Sequence, residues 1–158
     1  MFKVVLIKGD GIGPEIADAV VNIFDAAKVP IEWIEKQAGL SVVEKHPNGI
    51  PDETFQAITE YQVALKGPTT TPVGTGHKSV NVTLRKSLEL YANVRPARSL
   101  PGVRTRFDNV DLIIVRENIE DTYGGIEHIQ TADVAQSLKL ITRPGSMHTL
   151  QFALTLAV

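Results

Sequence analysis

Phe2–Lys8 is a short apolar run rich in β-branched residues, stopped by Gly9-Asp10-Gly11-Ile12-Gly13 and followed at once by Pro14. No other feature constrains the fold as much. The run reads as a buried strand, the glycines as a tight turn, and Pro14 as a first helical residue. Ile16, Ala19, Val20, Ile23, Phe24 and Ala27 then predict one apolar helical face. Ile31–Lys36 alternates like a second strand. Asp52 is placed to cap a helix with apolar Phe55, Ala57 and Ile58, and Gln62–Lys66 reads as a third strand. Strand and helix in alternation predict an α/β fold, a mostly parallel sheet flanked by helices.

Gly67–Gly76, rich in Thr, Pro and Gly, is a loop at the end of a strand, where α/β proteins place ligands. Further on, the pattern predicts a helix over Asn81–Leu90, strands over Ala92–Ala97 and Asp111–Arg116, and a polar loop over Glu117–Glu127. A strand over Val134–Thr142 and a last helix over Ser146–Val158 complete the reading. Leu100-Pro101-Gly102 breaks the regularity and suggests a change of layer near residues 90–100.

Composition narrows the function. The chain has 158 residues, 43% hydrophobic and 22% charged, as in a soluble globular protein. A net charge of -2 gives no reason to expect nucleic acid or an anionic membrane as partner. No apolar run reaches the roughly 18 residues of a membrane span, and Met1-Phe2-Lys3 carries no signal-peptide pattern. The chain has no cysteine, which excludes disulfides, thiolate chemistry and Cys-based zinc sites and fits a cytoplasmic location.

Two constellations carry chemistry. In Ser79-Val-Asn81-Val-Thr-Leu-Arg85 a Ser suited to N-capping opens a helix, with an amide and a guanidinium close behind; Arg95 and Arg98 follow. Helix N-termini attract anions, and Arg grips carboxylates bidentately, so the stretch suits a ligand with several carboxylates. A capped helix with solvated basic residues is the plain alternative. The second constellation is Arg116-Glu-Asn-Ile-Glu-Asp-Thr-Tyr123, directly after the apolar Leu112–Val115, which reads as a buried strand. A tyrosine among cations there can act as a proton donor; a packed tyrosine in a solvated loop is the alternative. Glu117, Glu120 and Asp121 are closely spaced on one loop, and arginine partners suit them better than a metal cage. Gly9–Gly13 lacks the G-x-G-x-x-G spacing and reads as a structural junction in preference to a phosphate cradle. His46, His77, His128 and His148 show no metal-ligand spacing.

Gly9–Glu15, Lys66–Pro72, Ser79–Arg85, Tyr91–Arg98, Arg116–Tyr123 and Gly125–Glu127 together resemble, in order, the decarboxylating dehydrogenases of isocitrate, isopropylmalate, homoisocitrate and tartrate. Within that family the Lys66–Gly74 loop and the Ser-x-Asn start look like the isocitrate enzymes. Ser79 and Asn81 can hydrogen-bond a third carboxylate and would be left unpaired by an alkyl substrate. The resemblance implies that Arg85, Arg95 and Arg116 bind carboxylates of isocitrate and that Ser79 and Asn81 hold the distal one. It implies Thr70 between substrate and nicotinamide, and Tyr123 as the donor that protonates the enol carbon after carbon dioxide leaves. NADP or NAD, with Mg²⁺ or Mn²⁺ held by residues absent from this chain, would be the cofactors. Retention of Tyr123 favours a catalytic over a non-catalytic subunit. Residues 1–90 would be the amino-terminal part of a large domain whose sheet is incomplete in this chain. Residues 91–158 would start a small domain, with a homodimer arm near residues 121–142; Ala132–Thr142 resembles the arm of bacterial NADP-type members. Family subunits are considerably longer, so the chain is expected to be an amino-terminal part, inactive alone. Homoisocitrate, isopropylmalate or tartrate as substrate, a non-catalytic subunit and a truncated fragment are the alternatives.

Overall fold

A computed structural model describes residues 1–71 and 79–158. The chain falls into two units, Met1–Leu84 and Arg85–Val158. In the first, β1 (Phe2–Ile7) lies between β2 (Ile31–Glu35) and β3 (Ala64–Lys66), parallel to both. Val5, Leu6 and Ile7 are all buried, which explains why β1 reads as a continuous apolar run: it is covered on both faces.

The crossover helices are α1 (Gly13–Ala26) and α2 (Asp52–Tyr61). Pro14 sits in the first turn of α1, as its fixed φ favours. The apolar face differs from the expected one. Gly13 and Ala17 are buried, and Val20, Val21 and Phe24 half-buried, whereas Ile16, Ala19, Ile23 and Ala27 are exposed. The helix carries two apolar stripes, and its small-residue side is the one that can approach the sheet. Asp52 does not cap α2: Pro51 holds that position, and Asp52 and Glu53 instead place negative charge in the first turn. The helix ends at Gln62 in the left-handed region, φ 58°, so β3 starts at Ala64, later than the pattern suggests. Thr54, in the first turn of α2, is fully buried and donates its hydroxyl to the Gln37 carbonyl at 2.8 Å. α3 (Val80–Ser87) buries Val80 and Leu84 and stops short of Leu90, because Glu89 turns to φ 51° and the Leu90 amide returns to the Arg85 carbonyl.

The second unit is antiparallel. β4 (Ala92–Arg98) pairs with β5 (Asp111–Glu117), and β6 (Glu127–Thr131) with β7 (Val134–Ser137). Glu127 therefore opens a strand where a loop was expected to end, and β7 stops well before Thr142. α4 (Arg143–Leu156) begins earlier than Ser146 because Thr142 caps it, accepting from the Gly145 amide at 3.1 Å. α4 packs on β5, with the Tyr91 ring 6.2 Å from Phe152 and 5.7 Å from His148. Among the described residues every buried apolar side chain lies in the first unit. On β5, Leu112, Ile113 and Ile114 are 57%, 52% and 52% exposed, so this strand is not the buried one its composition predicts. No helix among the described residues is long and apolar enough to cross a membrane.

Candidate functional site

In the second unit the segment after β5 is built to present Tyr123. Asn118 is buried; its amide donates to the Leu90 carbonyl at 3.0 Å and its oxygen accepts from Asn93 at 3.4 Å. Glu117 folds the chain back by accepting from the Ile119 and Glu120 amides at 2.8 and 2.9 Å. Asp121, at φ 65°, caps the short 3-10 turn Thr122–Gly124. Lys86, also of the second unit, donates to the Gly124 carbonyl at 2.8 Å and holds that turn.

Tyr123 thereby meets two guanidinium groups. Arg116 donates to its hydroxyl at 2.6 Å, and the Arg116 and Arg85 guanidinium carbons lie 5.5 and 5.8 Å from its ring centroid. A phenol oxygen that accepts from Arg116 keeps its own O–H free to donate elsewhere. Positive charge also stands where negative charge develops if that proton leaves. Arg95 does not join this group; it donates to Asn93 at 3.2 Å. Asn93 faces Arg116 in the β4–β5 register and Arg95 faces Ile114, so Arg95 and Arg116 emerge on one face of the pair.

Arg85, Arg95 and Arg116 have no acidic partner among the described residues, whereas Arg98 pairs with Asp111 at 2.9 Å. The expected arginine partners in the loop are engaged otherwise. Glu117 serves backbone amides, and Asp121 meets Lys139 at 3.3 Å. Glu120 accepts from the hydroxyl and, at 2.8 Å, the amide of Thr142; those bonds, the hydroxyl's first, hold its carboxyl below the ordinary glutamate range. No three His, Asp or Glu among the described residues cluster as metal ligands.

In the first unit, Thr70 is exposed in the loop after β3, at the carboxyl end of the parallel sheet. Ser79 directly precedes α3, and its carbonyl accepts from the Thr83 amide at 2.9 Å, the first bond of the helix. Asn81 accepts from Thr69 at 3.4 Å, which keeps its NH₂ as a donor. Pro72–Gly76 of the loop and His77 lie outside the described residues. Gly9–Gly13 acts as a junction: a Cβ on Gly9 would strike the Pro68 carbonyl and one on Gly13 the Lys8 carbonyl. Asp10, Lys86, Asn93 and Asn118 were not legible as site residues. The one available signal was an Asp between two glycines at the end of a buried strand.

The sequence profile of the isocitrate/isopropylmalate dehydrogenase family matches residues 3–158. Over 155 residues the chain is 52% identical to subunit 2 of the mitochondrial NAD isocitrate dehydrogenase of Saccharomyces cerevisiae, covering 96% of this chain and 41% of that protein. It is 50% identical to the NADP isocitrate dehydrogenase of Thermus thermophilus, covering 98% and 32%, and 48% identical to the chloroplastic 3-isopropylmalate dehydrogenase of Solanum tuberosum, covering 97% and 43%. The crystal structure of isocitrate dehydrogenase from Methylococcus capsulatus matches with a TM-score of 0.89 at 47% identity, over 99% of this chain and 48% of that one. The chain thus spans less than half the length of these relatives. Through the profile match, the shared fold and the ordered motifs, the chain belongs to the isocitrate/isopropylmalate dehydrogenase family of oxidoreductases.

Proposed function

We propose that this chain supplies the carboxylate-binding and proton-donating groups of an isocitrate dehydrogenase, which oxidises isocitrate and releases carbon dioxide to leave 2-oxoglutarate. The supporting observation is the set of guanidinium groups without acidic partners among the described residues, two of them against Tyr123. Arg85, Arg95 and Arg116 take substrate carboxylates through charge-assisted bonds. Ser79 and the Asn81 NH₂ hold the distal carboxylate. Tyr123 gives its proton to the enol carbon left by decarboxylation. A bound nicotinamide, NADP or NAD, would supply the hydride acceptor; Thr70, exposed at the carboxyl end of the sheet, fits a place beside it. The described residues offer no complete cage for Mg²⁺ or Mn²⁺, and no step is assigned to a metal. Residues 1–90 and 91–158 are proposed as parts of a large and a small domain. The exposed β6–β7 hairpin is proposed as a homodimer arm within residues 121–142. Sedimentation tests the dimer and cell fractionation a cytoplasmic location.

Calorimetric titration with isocitrate and isopropylmalate tests the substrate. Isocitrate should bind the tighter, and more weakly as salt rises. The potato relative motivates the second reading, an isopropylmalate enzyme. Tighter binding of isopropylmalate would establish it and overturn ours.

A further inference from the structure

We infer that Asp10 is a positioning residue: its carboxylate fastens the loop after β3 to the end of β1 and so sets where Thr70 meets a nicotinamide nucleotide. The part concerning the nucleotide rests on the role proposed for Thr70; the tether does not.

One carboxylate gathers the chain that follows all three strands of the first unit. Oδ2 accepts from the Thr70 amide at 2.8 Å, and the Leu40 amide lies 3.0 and 3.1 Å from the two oxygens. These partners stand 60 and 30 residues away in sequence. The backbone of Asp10 is held as well: its N–H donates to the Pro68 carbonyl at 2.8 Å, and its carbonyl accepts from the Gly13 amide at 2.9 Å. The surroundings are cut to this carboxylate. Gly39 adopts φ 114°, and a Cβ there would strike the Asp10 carboxyl group. The Gly67 amide donates to the Ile7 carbonyl at 2.7 Å, which pins the start of the same loop. Beyond Pro68, Asp10 is the side chain among the described residues that bonds the Thr70 amide.

The chemistry calls for a carboxylate. Asp10 has no cationic partner among the described residues, and its charge is met by backbone N–H groups just ahead of the α1 N-terminus, where negative charge is favoured. Asn has the same shape but one acceptor oxygen, and its NH₂ would oppose one of the amides. Asp10→Asn should therefore keep one bond and lose the other, while Asp10→Ala loses both.

Amide hydrogen exchange on the chain reads the tether directly. The Thr70 and Leu40 amides are compared with Val5, whose amide is bound to Val63 at 3.0 Å inside the sheet. In Asp10→Ala, Thr70 and Leu40 should exchange at least about tenfold faster relative to Val5, and Asp10→Asn should lie between Ala and the unaltered chain. An unchanged ratio overturns the tether. If Asp10→Ala loses Val5 protection too, Asp10→Asn decides by the same ratio. NADP⁺ is then added and the Thr70 resonance followed. Asp10→Ala should weaken NADP⁺ binding about fivefold or more while isocitrate affinity stays as it was. Equal NADP⁺ affinity in Asp10→Ala and the unaltered chain, with Thr70 responding in both, overturns the positioning role. A Thr70 resonance indifferent to NADP⁺ in the unaltered chain refutes the cofactor role of Thr70, and positioning with it, while the exchange ratio still decides the tether.

Discussion

Replacing Arg116 with Ala tests the centre of the proposed function. Among the described residues this guanidinium has one polar bond, to the Tyr123 hydroxyl at 2.6 Å, and no acidic partner. Its remaining donors are therefore free for a substrate carboxylate. A bond to a charged group contributes about 1.5–3 kcal/mol, and the Tyr123 bond, at an exposed side chain, about 1 kcal/mol. Loss of the first with partial loosening of Tyr123 predicts a cost of about 2–4 kcal/mol. At about 1.4 kcal/mol per decade, isocitrate affinity should fall roughly 30- to 700-fold. Arg116→Lys keeps the charge but not the fork, so it should recover only part of the loss. Arg98→Ala is the control: its guanidinium already faces Asp111, and its removal should leave affinity within about threefold. Calorimetric titration with isocitrate at low and at high salt gives all of these values. The reasoning fails if Arg116→Ala also stays within threefold of the unaltered chain, or if Arg98→Ala loses as much.

In a full-length parent enzyme Tyr123→Phe should lower kcat for isocitrate oxidation far more than it raises KM, because the hydroxyl acts late; equal effects on both would return Tyr123 to a packing role. Thr54→Val should cost about 1 kcal/mol in a urea melt, since it removes the bond from the buried hydroxyl to the Gln37 carbonyl. The Glu120 carboxyl titrates below its ordinary range in the folded chain, so its stabilising contribution is present above about pH 4.3, the unfolded value, and is lost as pH falls through the folded one. The start of α4, followed through the Gly145 amide, should loosen below that pH, and Glu120→Gln should blunt the change. The second unit, with β5 apolar residues open to solvent, should associate as concentration rises, and Leu112→Lys with Ile114→Lys should reduce this in sedimentation.

The first unit was legible because punctuation and composition agree there. A β-branched run ended by glycines and a proline has few other solutions, and the parallel β2-β1-β3 order follows from the crossovers. The second unit was less so. Hydrophobicity reports what a strand is able to cover, not what covers it, and Leu112–Ile114 therefore read as buried although they are exposed. Thr142-Arg143-Pro144 is a usable helix start, but the preceding β-rich stretch masked it. Spacing on the chain also cannot show that Arg85 and Arg116 meet at one ring, since that depends on Asp121 turning at φ 65° and on Lys86 seizing the Gly124 carbonyl.

The acidic residues show where charge counting misleads. Glu117, Glu120 and Asp121 sit beside arginines in sequence and invite pairing with them. Each is instead used by backbone amides, by Thr142 or by Lys139. Backbone N–H groups at turns and helix starts must be satisfied somewhere, and a nearby carboxylate does this without holding a long flexible cation in place. The consequence is functional. Because the loop's own acids are occupied in shaping the turn, the guanidinium groups around Tyr123 have no acidic partner among the described residues, and a carboxylate of the proposed substrate can take the place that an internal acid would otherwise fill.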